Sequence, residues 1–155
     1  MVKSGENLWI SHMFIGEYSH TIDQKGRMAV PSKMRVKLGS GAVVTRGLDK
    51  CLWVFPKKEW ESLAQKLAQL PITDANSRAF SRLMLAGAME VEFDAQGRVL
   101  LPGYLRDYAG LNKNTIVAGL FNRLEIWDAK IWATYKAKTE KDTDKITQAM
   151  SDLGI

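Results

Sequence analysis

Apolar and polar residues alternate along several short stretches of the chain, a pattern typical of β-strands with one buried face. In residues 89–93 the side chains of Met89, Val91 and Phe93 fall on one face, and two glutamates fall on the other. Apolar runs predict two further pairs of strands, at residues 42–46 with 52–55 and at residues 115–119 with 124–127. The pattern therefore indicates a core built mainly from β-structure.

Helical periodicity occupies segments between and after these strands. Apolar residues recur at spacings of three and four in residues 60–70, 80–84 and 131–135. Asp128 stands where it would cap the last of these helices. Shorter helices are predicted after Pro31 and Pro102, because proline is tolerated in a first helical turn. The polar tail from Thr139 is expected to be partly disordered.

The chain contains an internal repeat. The segment Asp23-Gln-Lys-Gly-Arg27-Met-Ala-Val-Pro31 matches Asp94-Ala-Gln-Gly-Arg98-Val-Leu-Leu-Pro102 position by position. Further along, after a single insertion in the second copy, the similarity continues and Trp60 matches Trp132. Similarity that stays in register over this length indicates a duplication of one structural unit.

The repeat divides the chain into two units. The first is predicted to span residues 13–86, with its core at about 17–59. The second is predicted to span residues 87–155, with its core at about 88–131, followed by a C-terminal helix and tail. Residues 1–12 show no periodicity and are interpreted as a vector-derived leader.

Neither repeat alone carries enough strands to cover its own sheet edges and to build a sufficient core. Pairing the two repeats into one closed pseudo-twofold barrel meets both needs, with the helices packed outside the barrel. The predicted fold class is therefore α+β and rich in β-structure.

Each repeat contains an Asp-x-x-Gly-Arg segment that predicts a tight hairpin turn. Aspartate binds backbone N–H groups two residues on, and glycine accepts the positive φ that such a turn requires. Arg27 and Arg98 would then project from rigid tips, where a planar guanidinium suits phosphate oxygens and guanine edges. The alternative is that Asp23 and Asp94 pair with these arginines only to brace the hairpins.

The distribution of charge favours a polyanionic partner. The net charge of the chain is +5; residues 13–86 hold 12 basic and 6 acidic side chains, whereas residues 87–155 hold 9 and 10. Lys25, Lys33, Arg35 and Lys37 lie in or soon after the first turn, and a simple brace would not need them. The first three of these residues are therefore predicted to contact DNA together with the turn arginines.

The sequence argues against an enzyme. Cys51 is the only cysteine and lies in an apolar stretch, and His20 stands alone, so no metal cluster or catalytic triad forms at a recognisable spacing. No glycine-rich phosphate loop and no apolar run of membrane-spanning length is present. We expect no catalytic residue, metal, cofactor or small-molecule substrate, and a location in the reducing cytoplasm.

Two segments resemble signatures of the MraZ family, bacterial regulators associated with division and cell-wall genes: Met13-Phe-Ile-Gly-Glu-Tyr-Ser-His-Thr-Ile-Asp-Gln-Lys-Gly-Arg27 and Phe121-Asn-Arg-Leu-Glu-Ile-Trp-Asp128. The resemblance extends from residue 13 to about 138. It implies two fused SpoVT/AbrB-like units in a pseudo-twofold double-psi or swapped-hairpin β-barrel. It also implies a ring-shaped homo-oligomer on the nucleoid that binds direct repeats in promoter DNA.

By position, the resemblance assigns the DNA-contacting surface to the aspartate and arginine of each turn, Asp23, Arg27, Asp94 and Arg98. The second turn carries Gln96 where the first has Lys25, so the two copies are expected to contact DNA unequally. Two other functions stay open at this point. One is a ring-forming scaffold that binds another protein, and the other is a nucleic-acid binder without sequence preference.

Overall fold

The described part of the chain, residues 13–155, contains eight β-strands and six α-helices in this computed structural model, and the expected leader at 1–12 lies outside the described residues. The strands are β1 (Phe14–Thr21), β2 (Arg27–Ala29), β3 (Gly41–Arg46), β4 (Leu52–Pro56), β5 (Met89–Glu92), β6 (Arg98–Leu100), β7 (Asn114–Phe121) and β8 (Leu124–Asp128). The α-helices are α1 (Ser32–Leu38), α2 (Lys57–Ala68), α3 (Ala75–Ser81), α4 (Gly103–Tyr108), α5 (Ala129–Lys141) and α6 (Thr143–Met150). A π-helical turn, Arg82–Ala86, extends α3, and a 3-10 turn, Ser151–Leu153, follows α6.

The strands form two antiparallel sheets. The large sheet has the order β1-β7-β8-β4-β3-β5, and the small sheet consists of β2 and β6. The first strand of each repeat pairs with the other repeat, because β1 lies along β7 and β5 lies along β3. The two repeats therefore exchange strands.

A pseudo-twofold axis relates the two repeats. In the small sheet Met28 pairs with Val99, the residue that occupies the same position in the second repeat. In the large sheet Trp53 pairs with Glu125, which occupies the position of Trp53 in the second repeat. A residue that pairs with its own equivalent lies at a twofold axis, so the axis passes through both sheets.

One hydrophobic core is shared by the two repeats. Its largest fully buried side chains come from both halves of the chain: Phe14, Met28, Leu52, Leu101, Leu105, Leu124 and Ile126. Burial of apolar surface is the main favourable term in folding, at roughly 25 cal/mol per Å². Because both repeats fill the same core, the strand exchange is part of what stabilises the molecule.

Several predicted elements are confirmed. Short helices follow Pro31 and Pro102, and each buries an apolar side chain in the core, Met34 in α1 and Leu105 in α4. Asp128 caps α5 as predicted, since its side chain accepts hydrogen bonds from two backbone N–H groups of the first turn. The two predicted strand pairs are β3 with β4 and β7 with β8.

The closed barrel is not confirmed. Among the described strands, β1 and β5 form the two edges of the large sheet, and each has one neighbour in it. The turns at Asp23 and Asp94 direct the chain out of the large sheet and into the β2–β6 ladder. The fold is therefore α+β, with an open antiparallel sheet.

The predicted disorder from Thr139 is wrong. Helix α5 continues to Lys141, and α6 then covers Thr143–Met150. Adding a residue to an existing helix is far easier than starting one, so polar sequence continues the helix that Asp128 begins. Lys136 also joins α5 to β1, because its Nζ donates to Oε1 of a glutamate in β1 at 3.0 Å.

Candidate nucleic-acid interface

The first Asp-x-x-Gly-Arg segment forms the tight turn that joins β1 to β2. The N–H of Gly26 donates to the carbonyl of Asp23 at 3.0 Å, and the N–H of Asp23 donates to the carbonyl of Arg27 at 2.9 Å. Oδ1 of Asp23 accepts the N–H groups of Lys25 and Arg27, each at 2.9 Å. Gly26 has a φ of +83°, which side chains strongly disfavour. The carboxylate and the glycine together fix the shape of the turn.

The second turn has the same construction. Oδ1 of Asp94 accepts the N–H groups of Gln96 and Arg98, each at 2.9 Å. Gly97 has a φ of +76° and donates its N–H to the carbonyl of Asp94 at 3.0 Å. The difference between Gln96 and Lys25 therefore changes the charge of the turn and leaves its backbone hydrogen bonds unchanged.

In both turns the aspartate also pairs with the arginine side chain. Nε of Arg27 donates to Oδ2 of Asp23 at 2.8 Å, and Nε of Arg98 donates to Oδ2 of Asp94 at 2.9 Å. The predicted brace is present. It uses Nε, so the terminal amino groups lie outside this bond, and the two arginine side chains are 32% and 28% exposed. A brace and a contact surface are therefore compatible in one residue.

The hydrogen bonds of the turns lower the pKa of both aspartates from the ordinary value of 3.8. The largest cause at Asp23 is the backbone N–H of Arg27, and the side chain of Arg27 lowers the pKa further. The same groups of Arg98 lower the pKa of Asp94. Both carboxylates are ionised at neutral pH, where they orient charged guanidinium groups.

The two turns lie side by side because β2 pairs with β6. Arg27 lies opposite Leu100 in this ladder, and Arg98 lies opposite Ala29. Nη1 of Arg98 is 3.7 Å from Oδ2 of Asp23, a contact between the two turns. We call the surface formed by residues 23–27 and 94–98 the double tip.

Two further arginines pack on the double tip, each from the opposite repeat. Arg35 of the first repeat lies against Gly97, and Arg106 of the second repeat lies against Gly26. A Cβ added to Gly26 would lie 2.9 Å from Cζ of Arg106, and one added to Gly97 would lie 2.6 Å from Cζ of Arg35. The glycines therefore serve a close approach as well as a positive φ.

The structure brings most of the predicted site residues together at this surface: Asp23, Lys25, Arg27, Arg35, Asp94 and Arg98. Arg35 does not lie at the turn nearest to it in sequence, since it packs on the second turn. Lys33 is exposed on α1. The first repeat therefore supplies basic residues to both turns, Lys25 to the first and Arg35 to the second.

Sequence reasoning missed Arg106 and Lys113. Arg106 occupies the position in the second repeat that Arg35 occupies in the first, so the repeat itself carried the signal. Lys113 lies before β7, and its carbonyl accepts the N–H of Ile22 at 2.8 Å. With Asp23 and Arg106 it lines a cleft beside the first turn. No local pattern marks Lys113, because its loop reaches the turn only through the tertiary fold.

Residues 13–155 hold no group of three or more His, Cys, Asp or Glu side chains placed to bind a metal ion. Burial raises the pKa of the Cys51 thiol, which donates to the carbonyl of Leu48, so this sulfur is a poor nucleophile. Within the described range, no helix is long and apolar enough to cross a membrane.

Comparison with known proteins places the chain in a family. The family model MraZ, described as "MraZ protein, putative antitoxin-like", matches the chain twice, at residues 13–83 and 84–153. A protein of Halothermothrix orenii named "Transcriptional regulator MraZ" is 50% identical over 143 residues, which are 92% of this chain and 100% of the relative. Proteins of the same name from Natranaerobius thermophilus and Clostridium acetobutylicum are 47% and 48% identical, with the same coverage of each chain. The chain therefore belongs to the MraZ family.

Proposed function

We propose that this chain is a transcriptional regulator that binds double-stranded DNA through the double tip. The observation that carries the proposal is the β2–β6 pairing, which sets Arg27 and Arg98 on one partly exposed surface. Each guanidinium is oriented by an ionised aspartate in the absence of DNA, so little side-chain freedom is lost on binding. A planar guanidinium held in this way suits phosphate oxygens and the edge of guanine.

The charge of the double tip supports the same function. Two aspartates meet four arginines there, Lys25 belongs to the first turn, and Lys113 lies beside it. Contacts from these cations to phosphates release counterions from DNA, at about −0.9 in the logarithmic salt slope for each phosphate neutralised. Phosphate contacts fix the position of the protein, and contacts to base edges carry sequence preference. No covalent step, cofactor or small-molecule substrate enters this function.

Within this function, we propose sequence-specific binding to direct repeats in promoters of division and cell-wall genes, on the nucleoid in the cytoplasm. The names of the relatives support regulation of transcription, and the choice of targets is what the resemblance to the MraZ family implies. The exchange of first strands between repeats supports the AbrB-like swapped-hairpin arrangement of the two units.

A ring of identical chains belongs to the same proposal. Ile15, Leu120 and Phe121 leave apolar side chains 66%, 40% and 55% exposed near one end of the edge strand β1. Such a patch favours contact with another copy. Several double tips in one ring raise the effective concentration of neighbouring tips at repeated DNA sites, so individually weak contacts add up to tight binding.

Fluorescence anisotropy at fixed, moderate salt tests the function. A duplex from upstream of the chain's own gene is compared with a scrambled duplex of the same composition. We expect the wild type to prefer the native duplex. The double variant Arg27→Ala, Arg98→Ala should bind it at least about thirtyfold more weakly, because the loss of two bidentate contacts of roughly 1–3 kcal/mol each removes at least about 2 kcal/mol.

The matched control is Arg78→Ala, Arg82→Ala, which removes the same charge from α3 and the turn after it. This control should keep its preference for the native duplex. Melting and size-exclusion measurements establish that each variant is folded and assembled. If the Arg27→Ala, Arg98→Ala variant binds the native duplex as tightly as the wild type, these arginines serve only to brace the turns. Equal affinity for both duplexes would indicate binding without sequence preference, and retained assembly without DNA binding would indicate a scaffold.

A further inference from the structure

Arg35 and Arg106 make the same set of contacts on opposite sides of the pseudo-twofold axis. Nε of Arg35 donates to the carbonyl of Val30 at 3.1 Å, and Nε of Arg106 donates to the carbonyl of Leu101 at 2.9 Å. These two carbonyls belong to the residues that follow β2 and β6. Each arginine is therefore anchored within its own repeat, to the strand end that precedes its helix.

The other end of each arginine reaches the opposite repeat. The guanidinium of Arg106 lies against Gly26 in the first turn, and that of Arg35 lies against Gly97 in the second turn. Any side chain on either glycine would occupy the position of the guanidinium. The planar group thus fills the space that each glycine leaves.

Backbone hydrogen bonds cross the axis at the same points. The N–H of Leu101 donates to the carbonyl of Gly26 at 2.9 Å, and the N–H of Val30 donates to the carbonyl of Gly97 at 3.4 Å. The carbonyl of Leu101 therefore accepts a hydrogen bond from Arg106, and the N–H of Leu101 donates to the turn that Arg106 covers. Each turn is held from outside by a strand end and an arginine of the other repeat.

We propose that Arg35 and Arg106 are positioning residues that form a crossed clamp, in which each repeat fixes the DNA-binding turn of the other. The clamp makes Arg27 and Arg98 one rigid unit, because neither turn moves without disturbing the opposite repeat. A loosened turn would have to be ordered again on binding, and that loss of freedom weakens affinity. The consequence for DNA rests on the proposed function, whereas the clamp itself is a property of the free protein.

Amide hydrogen exchange on the DNA-free, full-length protein tests the clamp. Arg106→Gln should raise the exchange rates of the Gly26 and Arg27 amides at least tenfold and leave the Gly97 amide near its wild-type rate. Arg35→Gln should do the opposite. Faster exchange in the turn of the same repeat, or equal changes in both turns, would overturn the proposal.

The lysine variants separate position from charge. Arg106→Lys and Arg35→Lys keep the positive charge, but an ammonium cannot both bond the carbonyl and lie flat against the glycine. We expect each lysine variant to show the same faster exchange in the turn of the opposite repeat as the matching glutamine variant. Its salt slope for DNA should equal that of the wild type, and its affinity for DNA should be at least fivefold weaker. Wild-type exchange and affinity in the lysine variants would reduce both arginines to simple cations and overturn the clamp.

These measurements distinguish the two proposals. Failure of the wild type to bind any duplex would overturn the proposed function, while the crossed exchange pattern would still support the clamp. Normal DNA binding with uncrossed exchange would overturn the clamp alone. The lysine variants also serve if a glutamine variant fails to fold, since their exchange can be compared directly with that of the wild type.

Discussion

At the scale of single residues, one carboxylate organises each turn of the double tip. Asp23 and Asp94 each accept two backbone N–H groups through Oδ1 and hold an arginine through Oδ2. All these bonds favour the ionised carboxylate, so the pKa of each aspartate lies below its ordinary value. The same bonds serve the stability of the turn and the orientation of the guanidinium groups.

The lowered pKa values predict how stability depends on pH. An aspartate whose pKa is lower in the folded state stabilises the protein above its ordinary value of 3.8, and that contribution is lost as the pH falls through the folded pKa. The variant Asp23→Asn, Asp94→Asn should therefore denature more easily than wild type at about pH 6, and the difference should shrink below pH 3.8. Thermal denaturation across this range measures it.

Asp107→Asn is the control for this prediction, since it removes an exposed carboxylate of α4 outside both turns. It should melt close to wild type at every pH. If the double variant differs from wild type by the same amount at all pH values, the charge of the turn aspartates does not stabilise the fold.

At the scale of elements, the start of α5 shows how one side chain joins a helix to a loop. The side chain of Asp128 is buried and accepts the N–H groups of Lys130 and Ile131 at 3.1 and 3.3 Å. It also accepts the backbone N–H of Asn112 at 3.0 Å. The cap therefore fixes both the first turn of α5 and the loop before β7, the loop that carries Lys113 to the double tip.

Removal of this cap should be costly. We expect Asp128→Ala to lower the free energy of unfolding by about 2 kcal/mol, because it removes a helix cap and takes the shared acceptor from three partly buried backbone N–H groups. The matched control is Asp142→Ala, since Asp142 precedes α6 without a side-chain capping bond. Its cost should stay below about 0.5 kcal/mol. Chemical denaturation compares the two, and equal losses would contradict the role of the cap.

At the scale of the whole molecule, strand exchange makes the two repeats one folding unit. The partner of β1 is β7, and the partner of β5 is β3, so each repeat completes its part of the sheet with a strand from the other. The double tip also depends on pairing between the repeats, because β2 and β6 form their ladder across the axis. The interface is therefore a product of both repeats.

Separate repeats should not fold alone. We expect the fragments 13–83 and 84–153, the two ranges that match the family, to show no cooperative thermal transition as monomers. An equimolar mixture should regain one, because the exchanged strands find their partners again. Circular dichroism of size-selected samples measures this transition. Cooperative unfolding of either monomeric fragment would mean that a repeat builds its own core.

The sequence predicted the local features of the fold and of the candidate site. The strand pairs, the helices after Pro31 and Pro102, the cap at Asp128 and the two turns all follow from residues close together in the chain. Their physical causes act over a few residues, so a local pattern is enough to indicate them. The prediction of disorder from Thr139 was wrong because a helix that has already formed is easily continued by the residues after it, which their own polar pattern does not reveal.

Only the tertiary structure shows which repeat each strand pairs with and which turn each arginine contacts. A duplicated pattern is equally compatible with strands that pair inside each repeat and strands that exchange, since both bury the same alternating faces. Exchange carries Arg35 to Gly97 and Arg106 to Gly26, contacts that no local spacing encodes. The sequence by itself thus determined two similar turns and their chemistry. Their union into one surface, and the open sheet beneath it, depended on pairing between residues far apart in the chain, where the shared core selects the partner.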